Sequence, residues 1–295
     1  MTSARSWCCS ALERAACWLL PACLAACAVG ASAPIVQEQR LRGDTIALLG
    51  EVHDNADGHR ARLAMLRRAV AGGWRPALAM EQFDIERQAD IDRARREAPR
   101  DAQHLIDRAA PARSGWDWAL VRPLVQFALD HDLALYAANL SSADTGRVVR
   151  GGYAGVFGPE RLASLGLART VAPDWQAAQE REIDAGHCGM LPAAMWPAMA
   201  RGQFARDAVM ASVLHEHGRD GIVLIAGNGH ARRDIGVARW LAPEDQTRVL
   251  SIGWLETEPR SPASSALEEG FDAVVRVPRA LRADPCDAFA KRKME

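Results

Sequence analysis

This chain has almost no surplus charge: 36 Lys and Arg stand against 37 Asp and Glu, a formal net charge of −1 over 295 residues. The arginines are interspersed with acids, so there is no basic stripe and nothing points to a nucleic-acid partner. No G-x-S-x-G nucleophile elbow is present, which argues against a serine hydrolase. The run Gly227-Asn228-Gly229-His230-Ala231-Arg232 lacks the third glycine of a dinucleotide fingerprint, and Arg232 in that place would block close helix packing. His215-Glu216-His217 is not a zincin helix, because imidazoles that close in sequence cannot share a helical face. Internal repeats and long low-complexity stretches are missing. Cysteine is scarce away from the N-terminus: Cys8, Cys9, Cys17, Cys23 and Cys27 lie near it, leaving only Cys188 and Cys286.

The N-terminal stretch reads as a leader rather than as part of the fold. Arg5 and Arg14 precede Ala15–Val29, a small and apolar run too short and Ala-rich for a membrane span, so residues 1–33 fit a secretory signal peptide. Ala31-Ser32-Ala33 offers a signal-peptidase site. Leu24-Ala25-Ala26-Cys27 resembles a bacterial lipobox and is the preferred reading, in which Cys27 carries lipid and becomes the mature N-terminus. The expected location is the periplasmic side of a bacterial membrane, with a lipid anchor. In that oxidising compartment Cys188 and Cys286 are a candidate disulfide.

What is present centres on Leu48–His59, L-L-G-E-V-H-D-N-A-D-G-H. Thr45–Leu49 is a short apolar strand. Glu51 and His53 leave its end on the same side, because side chains two apart on extended backbone share a face. Asp54, Asn55 and Asp57 are turn and N-cap formers. Arg60–Val70 then shows helical spacing, with Gly72-Gly73 as its stop. Capping explains the Asp and Asn residues. It does not explain Glu51, His53 and His59 together.

Further strands are expected at Ala77–Met80, Leu133–Ala138, Gly221–Ala226, Arg248–Ile252 and Ala273–Val277, and helices at Ile85–Arg95, Leu120–His131 and Phe204–His217. The alternation implies an α/β fold: a mainly parallel central sheet with helices on both faces. Residues 34–295 form one domain in this reading. A proline- and methionine-rich stretch of about residues 151–201 makes a helical insertion or lid.

Polar residues recur where the strands end: Glu51 and His53, then Glu81, then Asn139, then Asn228 and His230, with Arg232 close behind. In a parallel sheet these ends lie on one edge. Glu51, His53, His59, Glu81 and His230 are therefore expected to line one cleft, with Asn139, His187, Asn228 and Arg232 near it. As a hydrolase site, Glu51, His53, Glu81 and His230 would activate water, or Glu51, His53, His59 and His230 would hold a divalent metal.

The motifs at 48–59, A-M-E-Q-F at 79–83, A-A-N at 137–139, D-A-G-H-C-G-M-L-P at 184–192, Q-F-A-R-D-A-V-M-A at 203–211 and I-A-G-N-G-H-A-R-R-D-I-G-V at 225–237 resemble, in order and number, the ChaN-like iron-regulated haem-binding lipoproteins. These are similar to a wider superfamily with Tiki-type proteases and erythromycin esterase-like hydrolases. The resemblance implies a haem-binding protein of iron uptake, a homodimer enclosing haem, and a tyrosine on the iron. This chain has only Tyr136, inside an expected strand, and Tyr153, on a glycine-rich loop. Tyr153 is one candidate ligand. His187, with Met190 and Met195 beside it, is the other, since imidazole suits iron and Met-rich surface suits a flat porphyrin. Asn139, Asn228 and Arg232 complete the candidate haem-binding set.

Overall fold

The computed structural model describes residues 38–110, 115–257, 268–284 and 286–287. The expected leader, with the candidate lipidation residue Cys27, lies outside them. Six strands form the sheet: β1 (Ile46–Glu51), β2 (Ala77–Asp84), β3 (Leu135–Asn139), β4 (Ile222–Gly227), β5 (Val249–Glu256) and β6 (Ala273–Val277). The helices in chain order are α1 (Ala56–Ala71), α2 (Gln88–Glu97), α3 (Ala102–Ala109), α4 (Trp118–Asp130), α5 (Ser142–Gly151), α6 (Pro159–Ser164), α7 (Pro173–Gly186), α8 (Trp196–His217), α9 (Asn228–Ala231) and α10 (Pro243–Gln246).

The strand order is β3-β2-β4-β1-β5-β6, and every pairing is parallel. Parallel pairing needs crossovers, and the crossovers put helices on the faces. Alternate residues of each strand therefore enter two different cores. Ala47, Leu49, Leu78, Met80, Val223 and Ile225 meet Leu63, Leu66 and Val70 of α1 and the apolar sides of α2, α3 and α4. Ile46, Leu48, Ala79, Leu224 and Ala226 meet Met210, Val213 and Leu214 of α8. The expected fold, a parallel sheet covered on both faces, is the one observed.

The stretch from α5 to the start of α8 is helical. Val148, Phe157, Leu165 and Leu167 pack on Ala205, Ala208 and Val209 of α8, and Trp175 of α7 packs on Phe204. At the end of α7, Cys188 and Gly189 both have positive φ, +60° and +66°, which turns the chain sharply into the next segment. Cys188 is bonded to Cys286, with Cα atoms 5.7 Å apart. The C-terminal tail is thereby tied to the far end of the helical excursion.

Local chemistry sets the β1–α1 turn. Asn55 caps α1 by accepting the Gly58 N–H at 2.8 Å. Its amide also donates to Glu256 Oε1 and to the Pro278 carbonyl, each at 2.8 Å, joining the turn to the end of β5 and the chain after β6. Gly50 must be glycine for a steric reason: a Cβ there would lie 2.2 Å from Asn228 Oδ1.

Candidate functional site

Strand direction decides which polar residues meet. All six strands run the same way, so Glu51, Glu81, Asn139 and Gly227 sit at one edge. Two carboxylate–imidazole pairs assemble there.

The first pair is Glu51 and His53. Glu51 is 3% exposed at the end of β1. Its Oε1 faces His53 Nδ1 at 2.9 Å and accepts the Gln82 amide at 2.8 Å. Its Oε2 accepts from the guanidinium of Arg62, a side chain 1% exposed on α1. Burial pushes the Glu51 carboxyl up, but Arg62, His53 and His59 outweigh it and bring it down to about 2. The His53 ring is half exposed and meets the Trp116 indole edge-on, with centroids 4.7 Å apart. Burial pulls its pKa down, while the bond to Glu51 and the charge of Glu81 raise it by more. Gly227 makes room for this ring, since a Cβ there would lie 3.0 Å from His53 Nε2.

The second pair is Asp207 and His230. Asp207, 1% exposed on α8, faces His230 Nδ1 at 2.6 Å. This turns His230 Nε2 toward Glu81 Oε1, 3.6 Å away. Glu81 Oε2 accepts the Gly227 N–H at 2.7 Å, and Arg206 of α8 lies 3.6 Å from Oε1. Burial lowers the His230 pKa, but Asp207 and Glu81 raise it by more. Several buried polar atoms around this edge have no hydrogen-bond partner among the described residues: Gln82 Oε1, Asn139 Oδ1, Asn228 Oδ1 and Arg206 Nε. Such atoms are costly and concentrate where function requires them. Chemically, the arrangement can hold protons on two oriented imidazoles flanking one carboxylate.

The structure thus brings Glu51, His53, Glu81 and His230 together, with Asn228 against Gly50 and Asn139 bonded to Asp84 at 3.4 Å. It places other expected members elsewhere. His59 is 8% exposed, and both its ring nitrogens are engaged, Nε2 with the His53 carbonyl and Nδ1 with Arg62, each at 3.0 Å. It supports the turn from beneath, because the first turn of α1 points it back under the strand end. Arg232 is held between Glu182 of α7 and Asp234, so it fastens the excursion rather than lining the cleft. The metal set Glu51, His53, His59 and His230 is not assembled. Glu51 is committed to Arg62 and Gln82, and among the described residues no three His, Cys, Asp or Glu side chains converge as metal ligands.

Arg62, Gln82, Arg206 and Asp207 escaped the sequence reading. Arg206 and Asp207 lie within a motif read from the sequence, but their helical setting hid their reach to the sheet edge. Arg62 falls on α1 between Leu63 and His59 and reads as surface. Only its spacing from His59, one helical turn, hinted that the two share a face.

Of the remaining candidates, Tyr136 lies in β3, and Tyr153 and His187 lie in the helical excursion. Tyr136 stacks on His217, with centroids 3.8 Å apart and rings within 4° of parallel. Tyr153 is partly buried against the α5–α8 cluster. Burial drives its phenol up to about 12, with Arg201 opposing. His187 ends α7, its Nδ1 2.6 Å from the Ile183 carbonyl. After it come Gly189 and an unbroken apolar run, Met190 to Ala200, in which Pro192, Ala193, Ala194 and Pro197 are exposed and Met195 is 45% exposed.

With this geometry in hand, known proteins can be compared. A solved structure described as cofacial heme binding to ChaN of Campylobacter jejuni matches with a TM-score of 0.58 and 18% identity, over 77% of this chain and 87% of that one. An erythromycin esterase variant in its open conformation gives a TM-score of 0.44 and 13% identity, over 84% of this chain and 80% of that one. A Bacillus cereus protein gives 0.41 and 13%, over 75% and 68%. The last two scores are too low to carry an argument, and the first shows likeness of fold. No curated protein matches the sequence. The family model for haem-binding uptake, Tiki superfamily, ChaN, matches residues 38–241, which is more than half of the chain, and the protein belongs to that family.

Proposed function

We propose that the chain binds haem on the exposed face of its helical excursion, with His187 on the iron. The observation that carries this is the juxtaposition at the end of α7: an imidazole tethered through Nδ1, next to a solvent-facing apolar run. Metal-bound histidines characteristically give their other ring nitrogen to a carbonyl or carboxylate, and the Ile183 carbonyl fills that role here. Met190, Met195 and Trp196 supply apolar, polarisable surface for a flat macrocycle. Contiguous exposed apolar surface of this kind marks a binding face. The residues present therefore fit haem, whose iron would supply the coordination and redox chemistry when bound.

Tyr153 suits the iron less well. A phenol ligand must lose its proton, and burial at this position opposes that. The strand-end cluster is also a poor seat for haem, because its carboxylates prefer cations and protons. The hydrolase reading gains nothing from the esterase likeness, which stands at a TM-score of 0.44.

In this reading the protein is held at the membrane through lipid on Cys27 and serves iron uptake from the periplasmic side, with a second copy covering the open side of the haem. The lipobox and the oxidising environment expected for a secreted chain support the placement. The test is absorbance titration of the mature protein with hemin. A saturable Soret shift with one haem per chain is expected, and a linear, unsaturable change overturns the reading. The His187→Ala variant should lose the spectral signature of an imidazole ligand. An unchanged spectrum would move the iron away from His187.

A further inference from the structure

A cavity of about 220 Å³ lies between α1 and α4, apart from the haem face and from the strand-end cleft. Its walls include Leu63 and Leu124, both buried, and its floor is His59 and Arg62. The floor looks polar by residue type but is not so by available atoms. Both His59 nitrogens are engaged, and the Arg62 guanidinium is committed to Glu51, to His59 and to the Gly50 carbonyl. Water entering here finds few partners, and weakly held water is favourably displaced by apolar groups.

Among the groups lining the pocket, one backbone acceptor has lost its usual donor. Pro123 stands inside α4 and lines the cavity together with Ala119, four residues before it. Proline has no N–H, so the Ala119 carbonyl lacks its normal helical donor. An under-bonded carbonyl beside an apolar cavity selects for a single donor on an otherwise apolar body. An enclosed apolar cavity of about 150 Å³ already admits benzene, so this pocket of about 220 Å³, open to solvent past the exposed Arg60, Ala119 and Pro123, has room for a one- or two-ring molecule.

We propose that this cavity is a binding site for a compact aromatic molecule carrying one hydrogen-bond donor, which it gives to the Ala119 carbonyl. The contact reaches further than the pocket. His59 joins the cavity to the backbone of His53, so occupancy is felt at the strand-end site.

The probes are indole and benzothiophene, of the same shape with and without an N–H. Binding is followed by NMR, through the His59 ring resonances. Indole should give a saturable shift and bind about 5- to 10-fold more tightly than benzothiophene, the worth of one net hydrogen bond. Pro123→Ala returns an N–H to the Ala119 carbonyl. In that variant the ratio of the two affinities should fall to about one, whatever the lost proline ring does to both. Absence of a saturable His59 shift with both probes overturns the site. A wild-type ratio near one, or a ratio unchanged in Pro123→Ala, overturns the role of the carbonyl. Should the variant not fold, the wild-type ratio decides alone.

Discussion

Replacing Arg62 by Met separates charge from packing at the strand edge. Arg62 is 1% exposed and its guanidinium serves Glu51, so the variant leaves a buried carboxylate with only His53 and Gln82. Breaking a buried pair from one side costs roughly 3–5 kcal/mol. The pH dependence identifies the cause. In the wild type the Glu51 carboxyl is lowered from 4.5 to about 2, an order-of-magnitude contribution of about 3 kcal/mol. Because the folded pKa is the depressed one, that contribution is complete above pH 4.5 and fades as pH falls toward 2. Without Arg62, burial moves the folded pKa up, and Glu51 takes a proton sooner. The stability gap between wild type and variant should be widest near neutral pH. It should close by about 1.4 kcal/mol per pH unit once pH drops below the variant's own Glu51 pKa. Urea unfolding followed by tryptophan fluorescence, at pH 7, 5.5 and 4, measures it. A gap equal at all three values would refute the reasoning and make Arg62 a packing residue.

Gly50→Ala should destabilise the fold by roughly 1–3 kcal/mol through overlap with Asn228, and adding Asn228→Ala should recover part of that in chemical denaturation. Glu81→Gln removes one of the charges that raise the His53 pKa, so NMR titration should find that pKa lower; no change would mean Glu51 acts alone. His53 stabilises the fold while protonated, so this contribution is present below the ordinary histidine pKa of 6.5 and is lost as pH rises through its raised folded value. Cys188→Ser should lower stability by at most about 4–5 kcal/mol, the chain-entropy limit for a loop of this size, where the sequence separation is 98. Thermal unfolding with and without a dithiol reductant checks it, and the variant should not respond to the reductant.

Much of the architecture was legible because parallel strands buried on both faces must be short apolar runs. The expected strand Ala77–Met80 began at the observed residue, but it continues to Asp84 because polar Glu81 and Gln82 stay in extended backbone to reach the site. Helices α3 and α5 were missed: α5 buries only Val148, and α3 is a short helix whose buried side includes the small residues Ala102 and Ala109, so the apolar period of each is faint. Strand direction placed Glu51, Glu81 and His230 on one edge without any family knowledge. Partners supplied by helices were harder to see. A side chain such as Asp207 reaches the edge only through tertiary packing of α8 on the sheet, which no local pattern encodes.

The strand order also says when this chain can fold. β1 pairs only with β4 and β5, and β2 joins the rest of the sheet through β4. Until residue 227 has been made, β2 and β3 are a lone pair and β1 has no neighbour at all. Two isolated strands are marginal in water. β4 is thus a keystone, and fragments ending before Ile222 should be protease-sensitive along their whole length. A ribosome would finish about three quarters of the polypeptide before any sheet could close, a long interval in which a helper that shields apolar strands would have something to hold.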